Sequence, residues 1–170
     1  MFRNLTRLDV WTDCRDTNGN DQCAFELRDD DVAELAMALP RLKHIDLGHP
    51  CPENTCATTV ACLLSISVHC VEVQTLAIHF NTTNITDDLK NISEGPRFQE
   101  LHSLPKCSLP RFKAYRTPLT LDEPGLDAVA NGMVNIFPSL KRCGGYYKAW
   151  GELDKRIKKM QMLLARRQRG

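Results

Sequence analysis

The stretch ALPRLKHIDLG, Ala38 to Gly48, decides how the rest of the chain is read. Its apolar residues Leu39, Leu42, Ile45 and Leu47 fall at spacings of three, three and two, and a glycine closes it. Repeats are sought before any other organisation, and this stretch recurs. Leu42-Lys43-His44-Ile45-Asp46-Leu47 has the same L-x-x-L-x-[LV] skeleton as Leu5-Thr6-Arg7-Leu8-Asp9-Val10, and Val73-Gln74-Thr75-Leu76-Ala77-Ile78 is a third copy. Phe112-Lys113-Ala114-Tyr115 and Leu140-Lys141-Arg142-Cys143 read as weaker copies. Leu39-Pro40, Leu109-Pro110 and Phe137-Pro138 each precede a first apolar position by two residues. Taken from Leu5, Leu42, Val73, Phe112 and Leu140, the intervals are 37, 31, 39 and 28 residues.

Helical periodicity fills the gaps between these short strands. Asp29-Asp30-Asp31 suits a helix N-terminus, and Val32, Leu35, Ala36 and Leu39 then recur at i, i+3, i+4 and i+7. Thr58 or Thr59 can cap a second helix with Val60, Leu63, Leu64 and Ser67 on one face. Thr120-Leu121-Asp122-Glu123 has the form of a capping box before Leu126, Val129, Ala130, Met133 and Phe137. Strand and helix in alternation predict an α/β fold with parallel strands joined by helical crossovers.

Sequential repeats specify this further: a leucine-rich-repeat solenoid, with short parallel strands on the concave face, helices on the convex face and a C-terminal helix. About five irregular repeats would occupy residues 1–149, and residues 150–170 a basic amphipathic helix or tail. The intervals exceed the usual period of about 20–29 residues, so loop insertions are expected at Cys14 to Ala24, His49 to Thr55 and Asn81 to Leu104, where polar and turn-forming residues cluster. A doubly wound sheet would carry a glycine-rich phosphate loop after its first strand, and Trp11 to Asn20 holds only Gly19.

Composition narrows the function classes. The 170 residues are 42% hydrophobic and 25% charged, with formal net charge +1, which suits one globular domain with a real core. The apolar run near Val60 to Ile66 stops far short of the roughly 18 residues of a membrane span. Met1-Phe2-Arg3-Asn4-Leu5 lacks a signal-peptide pattern. The expected compartment is therefore intracellular, cytoplasmic or nuclear. The eight cysteines are then expected to be free, buried thiols, and the sequons at Asn4, Asn81, Asn84 and Asn91 coincidental. No CxxC pair accompanies Cys51, Cys56, Cys62 and Cys70, so no metal site is expected.

ALPRLKHIDLG, together with TCATTVACLLSISVHCVEVQTLAIHF and TPLTLDEPGLDAVANGMVNIFPSLKRC, resembles the leucine-rich-repeat portion of fungal F-box proteins over roughly residues 25 to 145. The resemblance implies a substrate receptor of a cullin-type ubiquitin ligase, in which an F-box helical domain grips a Skp-type adaptor and the repeats present the target. Four residues precede the first repeat strand, so this chain is expected to lack the F-box; an adaptor is implied only for a longer form that carries one.

Side chains alternate along a strand, so Leu8, Val10, Ile45, Leu47, Leu76 and Ile78 are expected inside. Arg7, Asp9, Trp11, His44, Asp46, Thr75, Ala77, His79, Arg116 and Arg142 are expected outside, in rows on one face. Without Ala77, these form the candidate partner-binding set, since solenoids bind on such faces and Trp and Arg dominate interface hot spots. The expected partner is a protein whose identity the sequence leaves unknown, with neither membrane nor cofactor. His44 with Asp46, or His79 with a nearby carboxylate, would make a poorly desolvated acid/base pair, and no nucleotide, P-loop, G-x-S-x-G or H-E-x-x-H motif occurs. No enzyme and no catalytic residue is expected.

From Lys155 to Gly170 there are seven Lys or Arg and no acid, leaving about −6 on the first 154 residues. Trp150, Leu153, Ile157, Met160 and Leu164 line one helix face. The readings for this segment are a helix covering the end of the repeat stack, a short coiled coil, or a basic patch for nucleic acid or nuclear import. The expected function is a non-catalytic protein-interaction module. Its alternatives are nucleic-acid binding through the basic tail and a repeat fragment without independent activity.

Overall fold

A computed structural model describes residues 4–10, 27–48, 57–94, 107–115 and 117–167. Five strands, β1 (Arg7–Asp9), β2 (His44–Asp46), β3 (Thr75–Ile78), β4 (Arg111–Ala114) and β5 (Arg142–Gly145), alternate with α1 (Asp29–Ala38), α2 (Ala61–His69), α3 (Ile85–Glu94) and α4 (Glu123–Ile136). A fifth helix, α5 (Lys148–Arg167), ends the described chain. The strands form one parallel sheet in the order β1-β2-β3-β4-β5. The fold is therefore α/β with a sequential parallel sheet. The strand order nowhere reverses, so the crevice that a doubly wound sheet opens at its switch point is missing from this sheet. Crossovers of one hand between sequential strands return each helix to the same face, and α1–α2, α2–α3, α3–α4 and α4–α5 are in contact in turn.

The register explains the recurring skeleton. Leu8, Ile45, Leu76, Phe112 and Cys143 are ladder partners in one row, and four of the five are buried in the core. Three residues before these stand Leu5, Leu42, Val73, Leu109 and Leu140, of which the last four are buried. This corrects the fourth repeat. Its first apolar position is Leu109, not Phe112, and the skeleton is Leu109-Pro110-Arg111-Phe112-Lys113-Ala114. The intervals between equivalent positions become 37, 31, 36 and 31. Phe112, at the second position, is itself apolar and so also satisfies the first position of a frame shifted by three residues.

A bifurcated bond marks the entry to the ladder. The carbonyl of Thr6 accepts from Lys43 N and His44 N, that of Lys43 from Gln74 N and Thr75 N, and that of Pro110 from Lys141 N and Arg142 N. At the β3–β4 entry, Pro110 occupies the donor position and has no N–H to give.

The third skeleton position, Val10, Leu47, Ile78, Ala114 and Gly145 in turn, becomes small only on β4 and β5. Trp150 fills the space released. Its ring packs with Phe80 and Phe112 at centroid distances of 6.1 and 5.9 Å, and its indole N–H donates to Thr117 O at 2.8 Å. A Cβ on Gly145 would sit 2.5 Å from Trp150 Cδ1 and 2.6 Å from Ala114 O, so only glycine fits there.

The helices α1 and α4 follow the expected faces; in α2, Cys62, Leu63, Ile66 and Ser67 are buried, whereas Leu64, expected on that face, is only partly so. In α1, Val32 and Ala36 are buried and Leu35 and Leu39 pack on the core; in α4, Leu126, Val129, Ala130 and Met133 are buried, as is Phe137 beyond it. The N-cap of α4 is Asp122, not Thr120; its carboxylate accepts from Gly125 N at 2.8 Å, with Pro124 in the first turn. Thr59 serves the start of α2: its Oγ1 accepts from Ala61 N, while Asp29 at the start of α1 accepts from Thr59 N and Oγ1, both at 2.7 Å. The segment Asn81 to Leu104 is not all loop, because α3 lies within it. Ile85 and Leu89 are buried and Ile92 packs on the core, an i, i+4, i+7 face hidden among polar residues. The α3–α4 approach is close: a Cβ on Gly132 would meet Leu89 at 2.9 Å.

Helix α5 begins at Lys148, ahead of the expected boundary at 150, and shares the core through Trp150, Leu153 and Ile157. It also covers the outer edge of β5. Asp154 Oδ1 accepts from Cys143 N at 2.7 Å, and Gln161 donates to the carbonyls of Pro138 (3.1 Å) and Leu140 (2.8 Å). These contacts place α5 at the β5 end of the sheet. The expected apolar face does not continue to its end, however: Leu164 is 44% exposed, beside exposed Met162 and Leu163. Among the described residues no helix is long and apolar enough to cross a membrane.

Candidate functional site

Because the inward row feeds the core, the alternate row of each strand forms the other face of the sheet. Two outward rows result. The first runs Arg7, His44, Thr75, Arg111, Arg142 and the second Asp9, Asp46, Ala77, Lys113, Gly144, each residue the ladder partner of the next. Six of the nine candidate residues, Arg7, Asp9, His44, Asp46, Thr75 and Arg142, stand in these rows. Trp11 and Arg116 lie outside the described residues. His79 follows β3, and its Nδ1 lies 3.1 Å from Thr117 Oγ1. Thr117 is fully buried and also accepts from Phe80 N at 3.4 Å, which makes the pair part of the packing around Trp150.

Arg111 and Lys113 complete the rows and were missed. Framing the fourth repeat on Phe112 put the outward position after Tyr115 instead of before Phe112. The signal was in the sequence: Leu109-Pro110-Arg111-Phe112 fits the skeleton once proline is allowed at its second position.

Charge on this face is divided. On β1 and β2, Asp9 bonds Arg7 Nε at 2.6 Å, and the hydrogen bond and charge of Asp9 raise the Arg7 pKa above its ordinary value. Asp46 accepts from Gly48 N at 3.2 Å and from the Tyr115 hydroxyl. Gly48 makes that turn with φ 77°, the left-handed region glycine enters freely. On β4 and β5 the outward side chains are Arg111, Lys113 and Arg142, with Lys141 one residue before the strand.

Comparison with family models, with curated proteins and with solved structures finds no match for this chain.

Two cavities open on the basic half. One, of about 440 Å³, is lined by His44, Thr75, Arg111, Lys141 and Arg142 among others, with no acidic residue among the described ones. The other, of about 410 Å³, lies over Gly144 and Gly145 and is lined by Arg111, Lys113, Arg142 and Lys158, together with Asp154. They share Arg111 and Arg142. A third cavity of about 590 Å³, between α4 and α5, is lined by charges that neutralise one another: Arg156 pairs with Glu123 and with Asp127, and Lys155 with Glu152 at 2.9 Å.

The described thiols belong to the core. Cys62, Cys70, Cys107 and Cys143 are buried. Burial pushes Cys70 up to about 11 and Cys107 up to about 12, and it raises Cys143 further with help from the charge of Asp154. Thiols held this far from ionisation are poor nucleophiles and poor metal ligands. Among the described residues no group of three His, Cys, Asp or Glu could hold a metal ion.

Proposed function

We propose that the chain is a leucine-rich-repeat-type module that binds a protein through the open face of its sheet. The carrying observation is the alignment of ten outward positions in two ladder rows across five strands, opposite the helices that bury the other face. A solvent-facing sheet of this kind offers a rigid platform, the general mode by which repeat arrays bind partners. The F-box receptors that the sequence resembles present targets on their repeats, and a target-presenting role is the corresponding proposal here.

The basic C-terminal helix supports a nucleic-acid reading less well. Lys155, Arg156 and Lys158 are held in ion pairs with Glu152, with Glu123 and Asp127, and with Asp154.

A photo-crosslinking residue at Thr75, within the outward row, or at Ala128, exposed on α4, tests the reading in cells. Protein adducts are expected at 75 and not at 128. Equal labelling at both sites, or none at 75, would refute it.

A further inference from the structure

We infer that the basic half of the open face binds an acidic, extended peptide segment, held by Arg111, Lys113, Lys141 and Arg142 over the glycine shelf at Gly144. The inference rests on the protein-binding reading above and adds the chemistry of the partner. Its first ground is electrostatic. Arg111 and Arg142 are direct ladder partners on adjacent parallel strands, about 4.8 Å apart. Like charges opposite one another across strands repel, and no carboxylate among the described residues is within ion-pair distance of either, or of Lys141. Elsewhere on the molecule the cations Arg7, Lys43, Lys155, Arg156 and Lys158 do have acidic partners. An anionic ligand relieves this repulsion.

The second ground is shape. The two cavities on either side of Arg111 and Arg142 form a strip from His44 on β2 to Gly144 on β5. Three strand spacings give about 14 Å, the length of about four extended residues. At the far end Gly144 leaves the shelf bare: a Cβ built there meets nothing within 4 Å. Glycine is unnecessary for packing at this position, in contrast to Gly145, where it is required.

The third ground is the division of charge. Asp9 and Asp46 occupy the β1–β2 end of the row that carries Lys113. A nucleic acid, anionic along its whole length, would meet these carboxylates if it followed the row. A peptide can place acids over β4 and β5 alone. Strand addition at the β5 edge would have to displace Asp154 from Cys143 N, which favours a segment lying across the strands.

The test is fluorescence anisotropy on the full chain with a labelled peptide carrying four consecutive glutamates, its glutamine counterpart, and an oligothymidylate of equal charge. The glutamate peptide is expected to bind with salt-sensitive affinity, the glutamine peptide not at all and the oligonucleotide more weakly. Arg111→Glu and Arg142→Glu are each expected to weaken binding at least tenfold. Gly144→Glu, which has room for its side chain and keeps the fold, is expected to do the same, with its melting curve as the control. Arg166→Glu with Arg167→Glu, on the last turn of α5, is expected to leave binding unchanged. Absent glutamate binding, equal or tighter oligonucleotide binding, or loss only in the α5 variant overturns the inference. Adducts at position 75 with no glutamate binding sink this inference alone, whereas the absence of those adducts removes the protein-binding reading as well.

Discussion

Tyr115, which follows β4, donates its hydroxyl to the Asp46 carboxylate on β2, so its side chain crosses the whole width of β3 on the open face. The residue beneath that crossing is Ala77, ladder partner of Asp46, and it is only 4% exposed although its row faces outward. Lys113 Nζ lies 4.5 Å from the centroid of the same ring. One aromatic side chain thus ties the acidic half of the face to the basic half. Burial, then the hydrogen bond to Asp46, then the negative charges of Asp46 and Asp9 hold the Tyr115 phenol well above its ordinary range. Tyr115→Phe is expected to lower stability by about 1 kcal/mol in urea unfolding. It is also expected to remove the last tyrosine ionisation step from an absorbance titration; a late step that survives the substitution would refute the assignment.

Two adjacent glycines should respond oppositely to the same change. Gly145→Ala drives a Cβ into Trp150 and the Ala114 carbonyl, and a loss of about 1–3 kcal/mol is expected for such overpacking. Gly144→Ala enters open space and is expected within about 0.5 kcal/mol of the parent. Melting curves of the two variants decide it; equal effects would mean that β5 is in a different register.

Asp154 should act as the cap on the last strand. Asp154→Ala leaves the part-buried Cys143 N–H without its acceptor, and about 1–3 kcal/mol is expected to be lost. Asp154→Asn keeps a carbonyl oxygen in place and is expected to retain more than half of that. If both variants lose the same amount, charge rather than hydrogen bonding is the source.

Stability should fall in alkali through the buried thiols. The pKa values of Cys70 and Cys107 rise from 9.0 to about 11 and about 12 in the folded chain, so below about pH 9 both states hold their protons and the contribution is complete. Above it the unfolded chain ionises first, and folding stability declines from pH 9 through 11 to 12. Cys70→Ala combined with Cys107→Ala is expected to flatten that decline, measured as urea midpoint against pH. The same two thiols are expected to resist iodoacetamide at pH 8 until the chain unfolds.

Replacing Trp150 by Ala is expected to cost about 3–5 kcal/mol, since the indole fills the space left by Ala114 and Gly145 and satisfies Thr117 O. Unfolding of this variant at room temperature, seen by circular dichroism, is the stronger form of the result. A loss below about 1 kcal/mol would mean that α5 does not seal the stack.

Local sequence carried the class of fold because its two periods, two for strands and 3.6 for helices, are imposed by backbone geometry wherever one face is buried. The skeletons at Leu5, Leu42 and Val73 were legible for that reason, as were the faces of α1 and α4. The same period set out Arg7, Asp9, His44, Asp46, Thr75 and Arg142 along the open face. Composition and spacing could not fix the fourth frame, since Leu109 and Phe112 both satisfy an apolar position and only the hydrogen-bond ladder chooses between them. Arg111 and Lys113 were lost with that choice. Nor could they reveal that Tyr115 reaches Asp46, 69 residues away, or that Gly145 is needed while Gly144 is not. Those facts depend on which atoms meet across the sheet, and nothing in a one-dimensional pattern encodes distances between residues that the chain separates by whole repeats.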